Sequence, residues 1–171
     1  MSARDWEMLL RVSVAFVLGA IIGFERESIN QPAGLRTHML VSAGSACFTL
    51  ASLYGFAPPA SAENTDVSRV AAQIVAGVGF LGAGTIWRTS STVRGLTTAA
   101  SIWVVAGVGM LSATGLYPLA IFVTFVSAIS LHFLRTPSKR RMLRSIGEPS
   151  IVADETNDEE DELPEATFQR R

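Results

Sequence analysis

The sequence has no Asp or Glu from position 67 to position 147. Only 17% of its 171 residues are charged, below the roughly one quarter usual in soluble chains. A soluble domain needs charges of both signs all round its surface, so a stretch this long without an acid points to lipid as its solvent. There is one cysteine, Cys47, which excludes an intrachain disulfide. Cys47 and His38 fall nine residues apart in one apolar stretch and His132 falls in another, too sparse a set for zinc. Ser42, Ser45 and Ser101 have no histidine that spacing alone would make their base, so no catalytic residue is expected.

What is present is apolar residues, 49% of the chain, with a mean hydropathy of +0.34. A transmembrane helix needs roughly 20 mostly apolar residues, with ~17 as the lower limit. Five runs qualify, at 8–24, 39–56, 70–87, 97–113 and 116–134. The expected fold is all-α, a polytopic bundle of about five membrane helices over residues 1–136. Arg11 interrupts the first run near its end, where a long side chain can snorkel to the headgroups. The N-terminus lacks a small-x-small cleavage site followed by a soluble chain, which argues against a signal peptide.

Lys and Arg in the short loops set the orientation. With the C-terminus inside, nine lie on the cytoplasmic side (Arg26, Arg36, Arg88, Arg94, Arg135, Lys139, Arg140, Arg141, Arg144) and three outside (Arg4, Arg11, Arg69). That bias puts the N-terminus outside. Residues 137–171 read as a basic juxtamembrane segment followed by a disordered acidic tail: from position 148 there are nine acids against two arginines.

The third run reads GVGFLGAG, with Gly77, Gly79, Gly82 and Gly84. It matches a dinucleotide fingerprint in letters only, because no strand–turn–helix setting and no ribose-binding acid accompany it. In lipid, small residues instead let helix backbones approach, and Gly19, Gly23, Gly107 and Gly109 extend that expectation to the first and fourth runs. An offset of 61 residues aligns Val14 with Val75, Gly23 with Gly84 and Gly34-Leu35 with Gly95-Leu96, a weak sign of a parallel internal repeat.

Polar residues gather near the cytoplasmic boundary. Glu25 and Arg26 close the first run; Arg36, Thr37 and His38 open the second. Arg88 ends the third, and Arg94, Thr97 and Thr98 open the fourth. The threonines suit helix N-capping, and helix N-termini with arginines favour an anion: a phosphate, a lipid headgroup, or the Glu25 carboxylate. Glu25 is expected to be buried against Arg36 or Arg94; Arg26 can also serve, although its neighbouring position points it in a different direction, and Glu27 lies farther into the loop.

The same residues carry a resemblance. ER at 25–26, AGLRTH at 33–38, R-x-x-x-Q-I-V-x-G-x-G-F-L-G-A-G at 69–84 (with Arg69 and Gln73) and GLTTAASIW at 95–103 (ending on Trp103) resemble the membrane domain of the MgtC/SapB family. The resemblance covers roughly residues 8–134 and implies a bacterial inner-membrane protein with several membrane helices. Members are linked to growth at low magnesium, survival in macrophages and regulation of other membrane proteins. The chain has a short acidic tail where the virulence-linked branch carries a folded cytoplasmic domain.

Three functions compete: a regulator of another membrane protein or of ion and magnesium homeostasis, a transporter or channel for an ion or small anion, and a membrane enzyme. A magnesium site is usually built on carboxylates, and Glu25 is the one acid at a membrane boundary within the motifs, with Glu27 just beyond. The resemblance therefore favours the regulator. The expected partners are the bilayer and a membrane protein or further copies of the chain, with no nucleic acid, cofactor or metal.

Overall fold

A computed structural model describes residues 2–55, 66, 68–90 and 92–134. The segment 137–171, with its basic cluster and acidic tail, and most of the loop 57–68 lie outside the described residues. Five helices run in chain order: α1 (Ala3–Ser28), α2 (Leu35–Leu50), α3 (Ser68–Ala83), α4 (Leu96–Ala113) and α5 (Tyr117–Phe133).

Local chemistry sets the helix ends. Ser2 caps α1 reciprocally with Asp5: its Oγ accepts from the Asp5 amide at 3.3 Å, and Asp5 Oδ2 accepts from the Ser2 amide at 2.6 Å. Asn30, at φ 54, turns the chain after α1, and Pro32 keeps the helix from resuming. Beyond α2 a π-helical turn, Ala51–Gly55, carries the chain on toward the loop. Asp66 accepts from both the amide and the hydroxyl of Ser68 at the start of α3, and these bonds hold its carboxyl below the usual carboxylate range. Gly115, at φ 82, makes the tight α4–α5 turn, and Pro118 opens α5 where a missing N–H matters least.

Two expectations change here. α3 ends at Ala83 rather than 87, because residues 87–88 (β1) and 93–94 (β2) form a short antiparallel ribbon that pairs Trp87 with Arg94. The N-cap positions of α2 and α4 are glycines, Gly34 and Gly95, and no threonine side chain caps either helix. Gly95 sits at φ 89, where a Cβ would run into the Thr85 carbonyl, so the ribbon can lead directly into α4 only with glycine there.

α1, α2 and α4 form the centre, with α5 against α1 and α4, and α3 mainly against α4. The bundle is apolar outside, and within it buried polar residues are interleaved with apolar clusters. Phe24, Phe48, Phe80, Phe122, Phe125 and Phe133 face outward, while Ser42, Ser45, Thr49, Ser112 and Thr124 are buried. Four of these hydroxyls are satisfied by backbone: Thr49, Ser112 and Thr124 each donate 2.8 Å to the carbonyl four residues earlier, and Ser42 donates 2.7 Å to Ala15 on α1. Such a distribution suits lipid rather than water. α1 and α4 are long and apolar enough to cross a membrane, while α3 and α5 are apolar but shorter.

The glycines divide. A Cβ on Gly19 would lie 2.7 Å from the His38 carbonyl and 2.8 Å from Ser42 Cβ, and one on Gly23 would lie 2.8 Å from Leu35 Cα. One on Gly109 would overlap the Ser42 carbonyl. These three positions are where α1 and α4 meet α2 backbone to backbone. Gly82 makes only ordinary contact, at 3.5 Å from Ala99, and Gly84 approaches only the carbonyls of its own preceding turn. Contrary to expectation, Gly77, Gly79 and Gly107 have nothing within 4 Å among the described residues. The tight packing lies in α1 and α4, and the glycine-rich α3 leaves most of its surface open.

Candidate functional site: a buried polar cluster

The C-terminal end of α1 and the N-terminal ends of α2 and α4 meet at one end of the bundle. Arg26, on α1, is only 3% exposed, and its Nη2 donates 3.1 Å to Thr98 Oγ1 on α4. Thr98, fully buried, donates in turn to Gln31 Oε1 at 3.3 Å. The α1–α2 connection is thereby tied to α4 through a guanidinium, a hydroxyl and a carboxamide.

His38 forms the second line. Its ring is fully buried, with Nδ1 2.8 Å from the Gly34 carbonyl and Nε2 3.0 Å from Ser101 Oγ on α4. A carbonyl can only accept, so Nδ1 carries the proton and Nε2 of the neutral ring is an acceptor for the Ser101 hydroxyl. Ser101 Oγ also lies 2.8 Å from the Thr98 carbonyl, so one proton serves two acceptors. A serine within reach of an imidazole, which spacing did not reveal, is the arrangement from which a nucleophile could be built. Here a backbone carbonyl orients the ring in place of a carboxylate, and both side chains are buried.

Glu25 pairs with Arg26, not with Arg36 or Arg94. Its Oε2 lies 3.9 Å from Arg26 Nη1, and both carboxylate oxygens are buried without a hydrogen bond among the described residues. Adjacent residues on a helix diverge at Cα, but a long guanidinium reaches back across that divergence.

The anion at a helix N-terminus is Glu27. Its Oε2 accepts from the Leu35 amide at 2.7 Å, placing a carboxylate on the first turn of α2, which Gly34 cannot cap with a side chain. The sequence does not single out Gln31, leaves Ser101 as a serine without a base, and places Glu27 farther out in the loop. A carboxylate eight residues before a glycine-capped helix was the signal available for Glu27.

Arg26, His38 and Thr98 thus come together with Glu25. Arg36, Arg88, Arg94 and Thr97 are exposed and stay outside the cluster, Thr37 is half-buried beside it, and Arg69, Gln73 and Trp103 are exposed on the helix surfaces. Arg11 also departs from expectation. Rather than reaching to headgroups, it donates 2.6 Å to the Ala113 carbonyl at the end of α4 and pairs with Glu7 at 2.5 Å. No group of three or more His, Cys, Asp or Glu that could hold a metal occurs among the described residues.

The MgtC family model matches residues 12–140, which takes in most of α1 and all of α2 to α5 and includes every residue of the cluster. The chain belongs to the MgtC family. It is 42% identical over 138 residues to a putative magnesium transporter, YhiD, of Escherichia coli (strain K12), covering 80% of this chain and 64% of that protein. It is 38% identical over 157 residues to protein MgtC of Salmonella typhimurium (strain LT2), covering 90% of this chain and 65% of that one. An uncharacterized protein, slr0014, of Synechocystis is 41% identical over 136 residues, with 77% and 56% covered. The chain therefore spans between 56% and 65% of the length of these relatives. No solved structure matches it. Family membership and the apolar helices together make this a bacterial membrane protein.

Proposed function

We propose that the chain is a non-catalytic regulator of the bacterial inner membrane. It crosses the bilayer five times with its C-terminus inside and acts in magnesium homeostasis through contact with another membrane protein. The name of one relative, a putative magnesium transporter, supplies the magnesium context, and the arginine and lysine bias supplies the orientation. The observation that carries the regulator reading is the closure of the polar cluster. Arg26, His38, Thr98 and Ser101 are at most 4% exposed and bond to partners within the chain, so they fix the relative positions of α1, α2 and α4. A conduit for a hydrated divalent ion needs several oxygen ligands along an open path, and the cluster contributes a single carboxylate lying against a guanidinium.

One observation favours a transporter: the Glu25 carboxylate is buried with no hydrogen bond among the described residues, as an ion or solute site would leave it. Flux into proteoliposomes across a panel of divalent cations, monovalent cations and small anions separates the two. The regulator reading expects no flux above empty vesicles. Saturable flux that Glu25→Gln abolishes would replace it with the transporter reading.

A further inference from the structure

We propose that the groove between α2 and α3 is occupied by a second copy of this chain, in a twofold dimer that sets the two α3 helices side by side. The proposal is independent of the regulator reading. The groove has a volume of about 530 Å³, and its walls include Leu40, Gly44 and Phe48 from α2 and Gln73, Gly77 and Leu81 from α3. Its floor is thin on both sides, because Gly44 and Gly77 face nothing within 4 Å among the described residues. No charged residue lines it.

Lipid chains could fill such a space, but they leave one group unmet. The Gln73 carboxamide, on the groove wall one helical turn along from Arg69, makes no hydrogen bond among the described residues, and hydrocarbon offers none. A carboxamide both donates and accepts, so the same residue from a second copy satisfies it across a twofold axis.

Charge agrees with that occupant. Copies inserted in the same orientation are related by an axis along the membrane normal, which runs the two α3 helices parallel. Asp66, just before α3, and Arg69, in its first turn, are both exposed and three positions apart. Each charge therefore has an opposite one within diagonal reach on the partner that offsets the like charge at its own height. Shape agrees too. Phe80 is 82% exposed and, three residues after Gly77, projects ~60° to one side of it at ~100° per residue. Helical side chains lean toward the helix N-terminus, so the partner's Phe80 comes level with the gap at Gly77. The ring and the gap lie on one helix at matching heights, which makes the surface self-complementary.

The test is cysteine crosslinking of the full chain in membranes, in a Cys47→Ala background. Ala76→Cys lies on the proposed face of α3, and Val126→Cys lies on the exposed surface of α5. Mild oxidation is expected to give a covalent homodimer from Ala76→Cys and none from Val126→Cys. Adding Gly77→Phe fills the gap with nothing nearby to displace, so thermal stability should hold while dimer yield falls about tenfold, the scale of overpacking at a close contact. Gln73→Leu should lower the yield as well. Equal crosslinking at both positions, no crosslinking at Ala76→Cys, a product with a different protein, or a yield indifferent to Gly77→Phe would each overturn the proposal.

Discussion

Replacing Gly109 with alanine adds one methyl group where there is no room for it. A Cβ there would lie 2.9 Å from the Ser42 carbonyl carbon, 3.0 Å from Ser45 Cβ, and closer still to the Ser42 oxygen. Two of those three atoms are backbone, so no rotamer change relieves the overlap and α4 must move away from α2. That movement stretches the His38–Ser101 bond, which joins the same two helices, and with it the Arg26–Thr98 bond from α1 to α4. Overpacking of this kind costs about 1–3 kcal/mol. In a chain of this size each kcal/mol lowers the melting midpoint by roughly 2–4 °C, so a fall of about 4–8 °C is expected for a mid-range cost. Gly77→Ala is the matched control: the same chemical change, in a helix, at a site with nothing within 4 Å among the described residues. Its midpoint should hold or rise slightly, because alanine is the better helix former by up to about 1 kcal/mol. Tryptophan fluorescence during heating in nanodiscs measures both. Equal falls at the two positions, or no fall at Gly109, would refute the assignment of tight packing to the α2–α4 contact.

Other substitutions test the cluster through the same melting assay. Arg26→Met strands the Glu25 carboxylate and should destabilise by about 3–5 kcal/mol, with Glu25→Gln in the same chain restoring part of the loss. Equal stability of the single and double variants would show that the two side chains are not coupled. Glu27→Ala removes the acceptor on the first turn of α2 and should cost about 1 kcal/mol; an unchanged midpoint would mean that the Leu35 amide finds another partner. A reporter fused after Leu134 should read as cytoplasmic, and the opposite reading would invert the topology.

The helices and their order were legible because lipid demands long apolar runs, and these survive in any register. The ends were less so. The ribbon at 87–94 hides inside a stretch of threonine, serine and arginine that reads as a plain loop. The glycines show the limit most clearly. GVGFLGAG looks like the tightest packing motif in the chain, yet Gly77 and Gly79 are open, while Gly19 and Gly109, in less conspicuous settings, carry the close contacts. Spacing identifies small residues but not the face on which a neighbour lies. Glu25, Arg26, His38 and Thr98 were legible in the sequence only as four of nine polar residues at one boundary. The pairings among them were not legible, because Arg36 and Arg94 were as near in sequence to the boundary as Arg26. Burial alone separates them, since Arg26 points inward at a three-helix junction and the other two do not.

The central claim is that the polar cluster is a sealed joint between helices rather than part of a path across the membrane. Ser101→Cys in a Cys47→Ala background puts a thiol beside His38 with little change in shape. Right-side-out and inside-out vesicles are then treated with a membrane-impermeant thiol reagent, and modification is followed by mass. The account predicts no labelling from either side until the protein is unfolded. Rapid labelling of the native protein from both sides would contradict it, because a group reachable from each face of the membrane lies on a pathway.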